Sequence, residues 1–71
     1  MTRCIYAQGP EPRQDRRTGD EIPEWTVYVG DGDAEPRSKV YRLTSLDRAR
    51  SLALRMSQDR RLELHDDTQP A

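Results

Sequence analysis

Trp25, Val27 and Val29 alternate with Thr26 and Tyr28, the period-two pattern of a strand with one buried face. Arg3-Cys4-Ile5-Tyr6-Ala7 is short, β-branched and aromatic, and it predicts an earlier strand. Lys39-Val40-Tyr41-Arg42-Leu43 predicts a third. It is expected to run antiparallel to the Trp25 strand, because the nine residues between them are too few for a crossover helix. The period then changes. Leu46, Ala49, Leu52, Ala53 and Met56 fall within about 120° of arc at 100° per residue, the apolar stripe of a core-facing helix. Thr44 is the expected N-cap with Asp47 reaching back to it, and the helix is expected to cover about Ser45 to Gln58. Leu62-Glu63-Leu64-His65 returns to alternation as a short last strand.

Between these elements the punctuation is strong. Gly9-Pro10-Glu11-Pro12 should stop the first strand, since proline donates no ladder hydrogen bond. The polar run to Glu24, with Thr18-Gly19-Asp20 as a turn signal, predicts a mobile loop over about 9–24. Residues from about 66 to 71 read as a frayed tail. The expected architecture is a single α+β domain over 1–71. It is a small antiparallel sheet of three or four strands with one amphipathic helix on one face, in the order β-β-β-α-β.

Composition narrows the function classes. The 71 residues are 32% hydrophobic and 35% charged with no Phe, so a single small core is all the chain can build. One core at this size supplies only ~3–5 kcal/mol unless something staples it, and the lone Cys4 excludes an internal disulfide. No apolar run is long enough for a membrane span or a leader core, and the expected compartment is the cytoplasm. The formal net charge is −1, so no global field draws nucleic acid or an anionic membrane. Charge is uneven along the chain. Arginines 48, 50, 55, 60 and 61 make the helix region basic, while Asp31, Asp33, Glu35 and then Glu63, Asp66, Asp67 make two acidic stretches that are expected to neutralise it. Eleven of the twelve bases are arginine, whose planar fork suits carboxylate pairing as readily as phosphate.

Chemistry-bearing motifs mostly fail on inspection. Asp31-Gly32-Asp33-Ala34-Glu35 resembles the start of a calcium loop, but Pro36 stands where glycine is needed and Arg42 where a bidentate glutamate belongs. Glu63, His65 and Asp67 share one strand face, yet a single histidine with carboxylates is a poor ligand set and the only thiol is far away in sequence. No metal site and no cofactor are therefore expected. Cys4 at a strand start is the usual place of a small buried hydrophobe, and 71 residues leave little room for a water-excluding pocket. The chain is expected not to be an enzyme.

Two surfaces remain as candidates for partner binding. Arg13, Arg16 and Arg17 lie on the long loop, balanced there by Glu11, Asp15 and Asp20. If Trp25 faces the helix, Tyr28 faces away from it, with Tyr41 or Val40 as its expected neighbour. Tyrosines beside arginines on an open sheet suit either a protein interface or the stacking of single-stranded bases.

The pattern from Trp25 onward resembles small bacterial sheet-plus-helix domains of unknown function. In these a Trp-x-Val strand, a second strand, a Thr-led helix with alanines and a Glu-Leu strand follow in order. The matching residues are Trp25, Val27, Val40, Thr44, Ala49, Ala53, Glu63 and Leu64, about two-thirds of the chain. The resemblance implies the fold and brings no activity with it. Three strands and a helix are also similar in outline to the DNA-binding arm of phage-type integrases, an analogy of fold alone. The leading expectation is a non-enzymatic protein-interaction or accessory module of a bacterial or mobile-element system, acting on an unidentified protein partner or by self-association. The alternative is a weak nucleic-acid-binding domain using the arginines and the open sheet face.

Overall fold

The computed structural model describes residues 3–30 and 40–71. Five elements follow in the expected order: β1 (Cys4–Gln14), β2 (Glu21–Gly30), β3 (Tyr41–Leu43), α1 (Leu46–Arg60) and β4 (Glu63–Thr68). The strands form one sheet in the order β3-β2-β1-β4, and α1 lies across one face, so the α+β architecture is as expected. The sheet is mixed, however, not wholly antiparallel. β4 pairs with β1 in parallel, Ile5 opposite Leu64 and Tyr6 opposite His65. The reason is topological: the helix carries the chain over one face and delivers β4 to the far side of β1, a crossover that a parallel pair requires.

The core is the one the periodicity specifies. Ile5, Ala7, Trp25, Val27, Ala49, Ala53 and Met56 are buried together, with Leu46, Leu52, Leu62 and Leu64 packed around them. Alanines at 49 and 53 let the helix approach the sheet closely, and the large contact surface then comes from Trp25. Burial of an indole requires a partner for its N–H. Trp25 Nε1 donates to the carbonyl of Gln69 at 3.0 Å. Gln69 N in turn donates to Gly9 O at 2.9 Å, so the segment expected to fray is strand through Thr68 and anchored at Gln69.

The expected loop over 9–24 is also largely ladder. β1 and β2 stay paired out to Gln14 and Glu21, with Pro12 opposite Pro23. Two facing prolines fit a ladder only at a non-hydrogen-bonded pair, where neither N–H is needed between the strands. That position leaves both outer edges short of a donor, which suits a two-stranded arm lying beyond β3 and β4. The arm ends in a turn in which Gly19 takes φ 75°, Asp15 N donates to Asp20 O, and the Asp15 carboxylate accepts from Arg17 N.

A bulge between Gln8 and Glu11 joins the arm to the body of the sheet. Gly9 sits in it at φ 127°, and a Cβ there would lie 2.9 Å from both Glu24 O and Trp25 Cδ1. Only glycine fits that close approach.

The helix starts one residue later than expected. Ser45, not Thr44, is the N-cap, and its hydroxyl accepts from Arg48 N. At the other end α1 runs to Arg60, past the expected stop at Gln58, and Arg61 closes it in the left-handed conformation. Val40 precedes β3; Lys39, the acidic stretch through Glu35 and most of the calcium-like segment lie outside the described residues. No helix among the described residues is long and apolar enough to cross a membrane.

Candidate interaction surface

The sheet face opposite the helix is built by alternation. With Ile5, Ala7, Trp25 and Val27 turned inward, the same strands turn Cys4, Tyr6, Gln8, Thr26, Tyr28 and Gly30 outward. On β4, Leu64 and Asp66 fall on the helix side, while Glu63, His65 and Asp67 fall on the open side. Arg42 of β3 stands opposite Thr26 and shares the open face.

Register arranges these residues in cross-strand rows. Tyr28, Tyr6 and His65 form one row across β2, β1 and β4. Tyr6 stacks on Tyr28 with ring centroids 5.4 Å apart and on His65 at 5.2 Å, with interplanar angles of 22° and 23°. Tyr6 thus has an aromatic neighbour on each side. Gly30 lies beneath the two tyrosines: a Cβ there would stand 3.3 Å from Tyr28 Cε2 and 3.4 Å from the Tyr6 ring. Gln8 Nε2 donates to the Tyr28 hydroxyl at 2.8 Å and holds its polar end.

The next row runs Arg42, Thr26, Gln8 and Asp67, positive at one sheet edge and negative at the other. Beyond it Glu24 takes Arg13 at 3.1 Å and Arg42 at 3.6 Å, an acid between two bases. In the other direction from the aromatic row, Gly30, Cys4 and Glu63 make the third row.

The helix arginines lie elsewhere. Arg50 Nε donates to Thr68 Oγ1 at 3.0 Å and lies 3.7 Å from Asp66, and Arg55 lies 4.0 Å from Asp59 one turn on. Asp66 accepts from both the hydroxyl and the backbone N–H of Thr68. Those two bonds, hydroxyl first, hold its carboxyl below the ordinary aspartate value, helped by Arg50 and opposed by slight burial.

The five residues read from the sequence as partner-binding candidates do not converge. Tyr28 is on the open face as expected. Tyr41 is not beside it: paired opposite Val27, it lies on the helix side and packs against the core. Arg13 is on the arm and committed to Glu24, and Arg16 and Arg17 are in the turn at the arm's tip. Tyr6 and His65 were missed as members of the surface. Tyr6 was legible, since it alternates with Ile5 and Ala7, whereas placing His65 beside it needs the parallel pairing of β4 with β1. The same pairing removes the objection that the only thiol is remote: Cys4 is opposite Glu63.

No family model matches the chain, and neither the curated proteins nor the solved structures yield a match.

Proposed function

We propose that this chain is a non-enzymatic protein-interaction module whose binding surface is the open sheet face, and that a second copy of the chain is the occupant of that face. The observation that carries the reading is the Tyr28–Tyr6–His65 row, three partly apolar rings side by side on the sheet face opposite α1. Aromatic residues with polar ends are enriched at protein interfaces for their large area and low ordering cost.

The choice of a second copy rests on charge. Two such faces packed about a two-fold axis parallel to the strands, passing between β1 and β2, bring β3 of one copy over β4 of the other. Rows keep their height under that rotation. Arg42 of each copy then faces Asp67 of the other, Thr26 faces Gln8, and Tyr28 faces Tyr6. The pattern is self-complementary, as an isologous contact requires.

The size of the face sets the strength. Three strands of about six residues and the three residues of β3 present about 330 Å² of flat surface, less than half the ~800 Å² per partner of a stable interface. Association is therefore transient, in the micromolar range or weaker.

The alternative, binding of single-stranded nucleic acid, has less support. Stacking platforms need ring faces open to bases, and Tyr6 is flanked by rings on both sides. Arg13, Arg50 and Arg55 have carboxylate partners.

Sedimentation velocity on the whole chain, from low micromolar to near-millimolar concentration, tests the proposal. A rise in weight-average mass toward a dimer is expected. Arg42→Glu and Asp67→Arg should each suppress it, and the double variant should restore it. A monomer throughout, or single reversals without effect, would overturn it.

A further inference from the structure

We infer that Cys4, Glu63 and His65 form a binding site for a single divalent zinc-type cation at one corner of the open face. One donor atom from each of the three residues lies within 4.8 Å of the other two. The backbone is responsible for the grouping. Parallel register sets Cys4 opposite Glu63, and alternation along β4 puts His65 on the same face two residues on. Glu63 Oε2 and His65 Nε2 stand 3.9 Å apart, too far for a hydrogen bond.

Donors on a tetrahedral zinc with bonds of about 2.0–2.3 Å are roughly 3.3–3.7 Å apart. Closing from the present spacing asks for shifts of about 1 Å, which side-chain rotation at Glu63 and His65 supplies because both are exposed. Cys4 is the buried member, 6% exposed, and forms the floor of the site. The His65 ring is already oriented by stacking on Tyr6.

Thiol, imidazole and carboxylate are the three ligand types that zinc accepts together, whereas calcium and magnesium take oxygen donors. Three protein ligands leave a fourth position for water or an incoming donor. Binding deprotonates the thiol and releases its proton. It also ties the first strand to the last, giving a core of this size the staple that one cysteine alone cannot provide. His65 belongs both to this site and to the aromatic row of the proposed self-association, whereas Arg42 and Asp67 belong to the self-association alone, so the charge-reversal variants at those two positions test the one proposal and the cobalt titration tests the other.

Titration of the reduced full chain with cobalt(II), followed by zinc(II), tests the site. A thiolate-to-cobalt absorption band saturating at one equivalent and lost on zinc addition is expected. Cys4→Ser should abolish the band, and the exposed-site variants His65→Asn and Glu63→Gln should each weaken binding by about tenfold or more. The melting temperature of the wild-type chain should rise with zinc concentration. Absence of the thiolate band would overturn the assignment. So would unchanged affinity in folded His65→Asn and Glu63→Gln variants.

Discussion

Trp25 and Gln69 are 44 residues apart, and the indole N–H of the first donates to the backbone carbonyl of the second at 3.0 Å. The contact closes the domain. It fixes the end of the chain over the largest side chain of the core and satisfies the one polar atom that side chain buries.

Trp25→Ala should cost ~3–5 kcal/mol, close to the whole stability of a domain this small. Trp25→Phe keeps most of the apolar area and removes the donor, and it should cost about 1–3 kcal/mol, including the stranded carbonyl of Gln69. Urea denaturation of the two variants against wild type measures both. A fully stable Trp25→Ala protein would mean that the core lies elsewhere.

Gly9→Ala should destabilise by about 1–3 kcal/mol, because a methyl group there meets Glu24 O and Trp25 Cδ1 at 2.9 Å from a backbone with φ 127°. Gly19→Ala supplies a control at positive φ, since a Cβ at Gly19 meets nothing within 4 Å. Thermal melting should rank Gly9→Ala as the more damaging of the two.

Arg61 holds the left-handed helix cap at φ 54°, with its backbone N–H directed to Gln58 and Ser57 carbonyls. Arg61→Gly should stabilise the domain by about 0.5–1 kcal/mol by relieving the Cβ penalty at that position. A loss of stability by chemical denaturation would show that the arginine side chain contributes more than its backbone costs.

Asp66 gives a pH dependence with a definite sign. Its carboxyl is lowered by the Thr68 hydroxyl, then the Thr68 N–H, then Arg50. A depressed folded-state value contributes stability that is present above the ordinary aspartate value and lost as pH falls through the folded one. Thr68→Val removes the hydroxyl bond and should raise the Asp66 titration toward the ordinary value in carbonyl-carbon NMR. The acid limb of stability should flatten in parallel. An unshifted Asp66 would contradict the hydrogen-bond assignment.

The legible part of the fold is the part carried by periodicity. Trp25-x-Val27 and the Ala49/Ala53/Met56 stripe are repeated apolar choices, and burial follows them directly. The arm was not legible because its pairing rests on backbone bonds between polar residues and prolines, a composition that reads as loop when each strand is taken alone. β4 extends to Thr68 for the same reason: Asp66 and Asp67 have poor strand propensity, and β1 supplies the ladder that holds them. The open face was half legible. Tyr28 follows from its alternation with Trp25, but the sequence sets no register for β3 and leaves Tyr41 and Val40 as alternatives beside it, since a shift of one residue exchanges the two faces. The Cys4, Glu63 and His65 grouping depends wholly on a parallel pairing between the two ends of the chain, which no local pattern encodes.

The most direct measurement of the central claim is a dilution series of backbone amide and side-chain NMR spectra on the whole chain, from near-millimolar to low micromolar concentration. Self-association through the open face predicts concentration-dependent shifts at Tyr6, Gln8, Thr26, Tyr28, Arg42 and Asp67, with the outer helix surface at Arg48, Leu54 and Arg55 unmoved. Shifts centred on the helix or on the arm tip at Arg16 and Arg17, or none at any concentration, would contradict it.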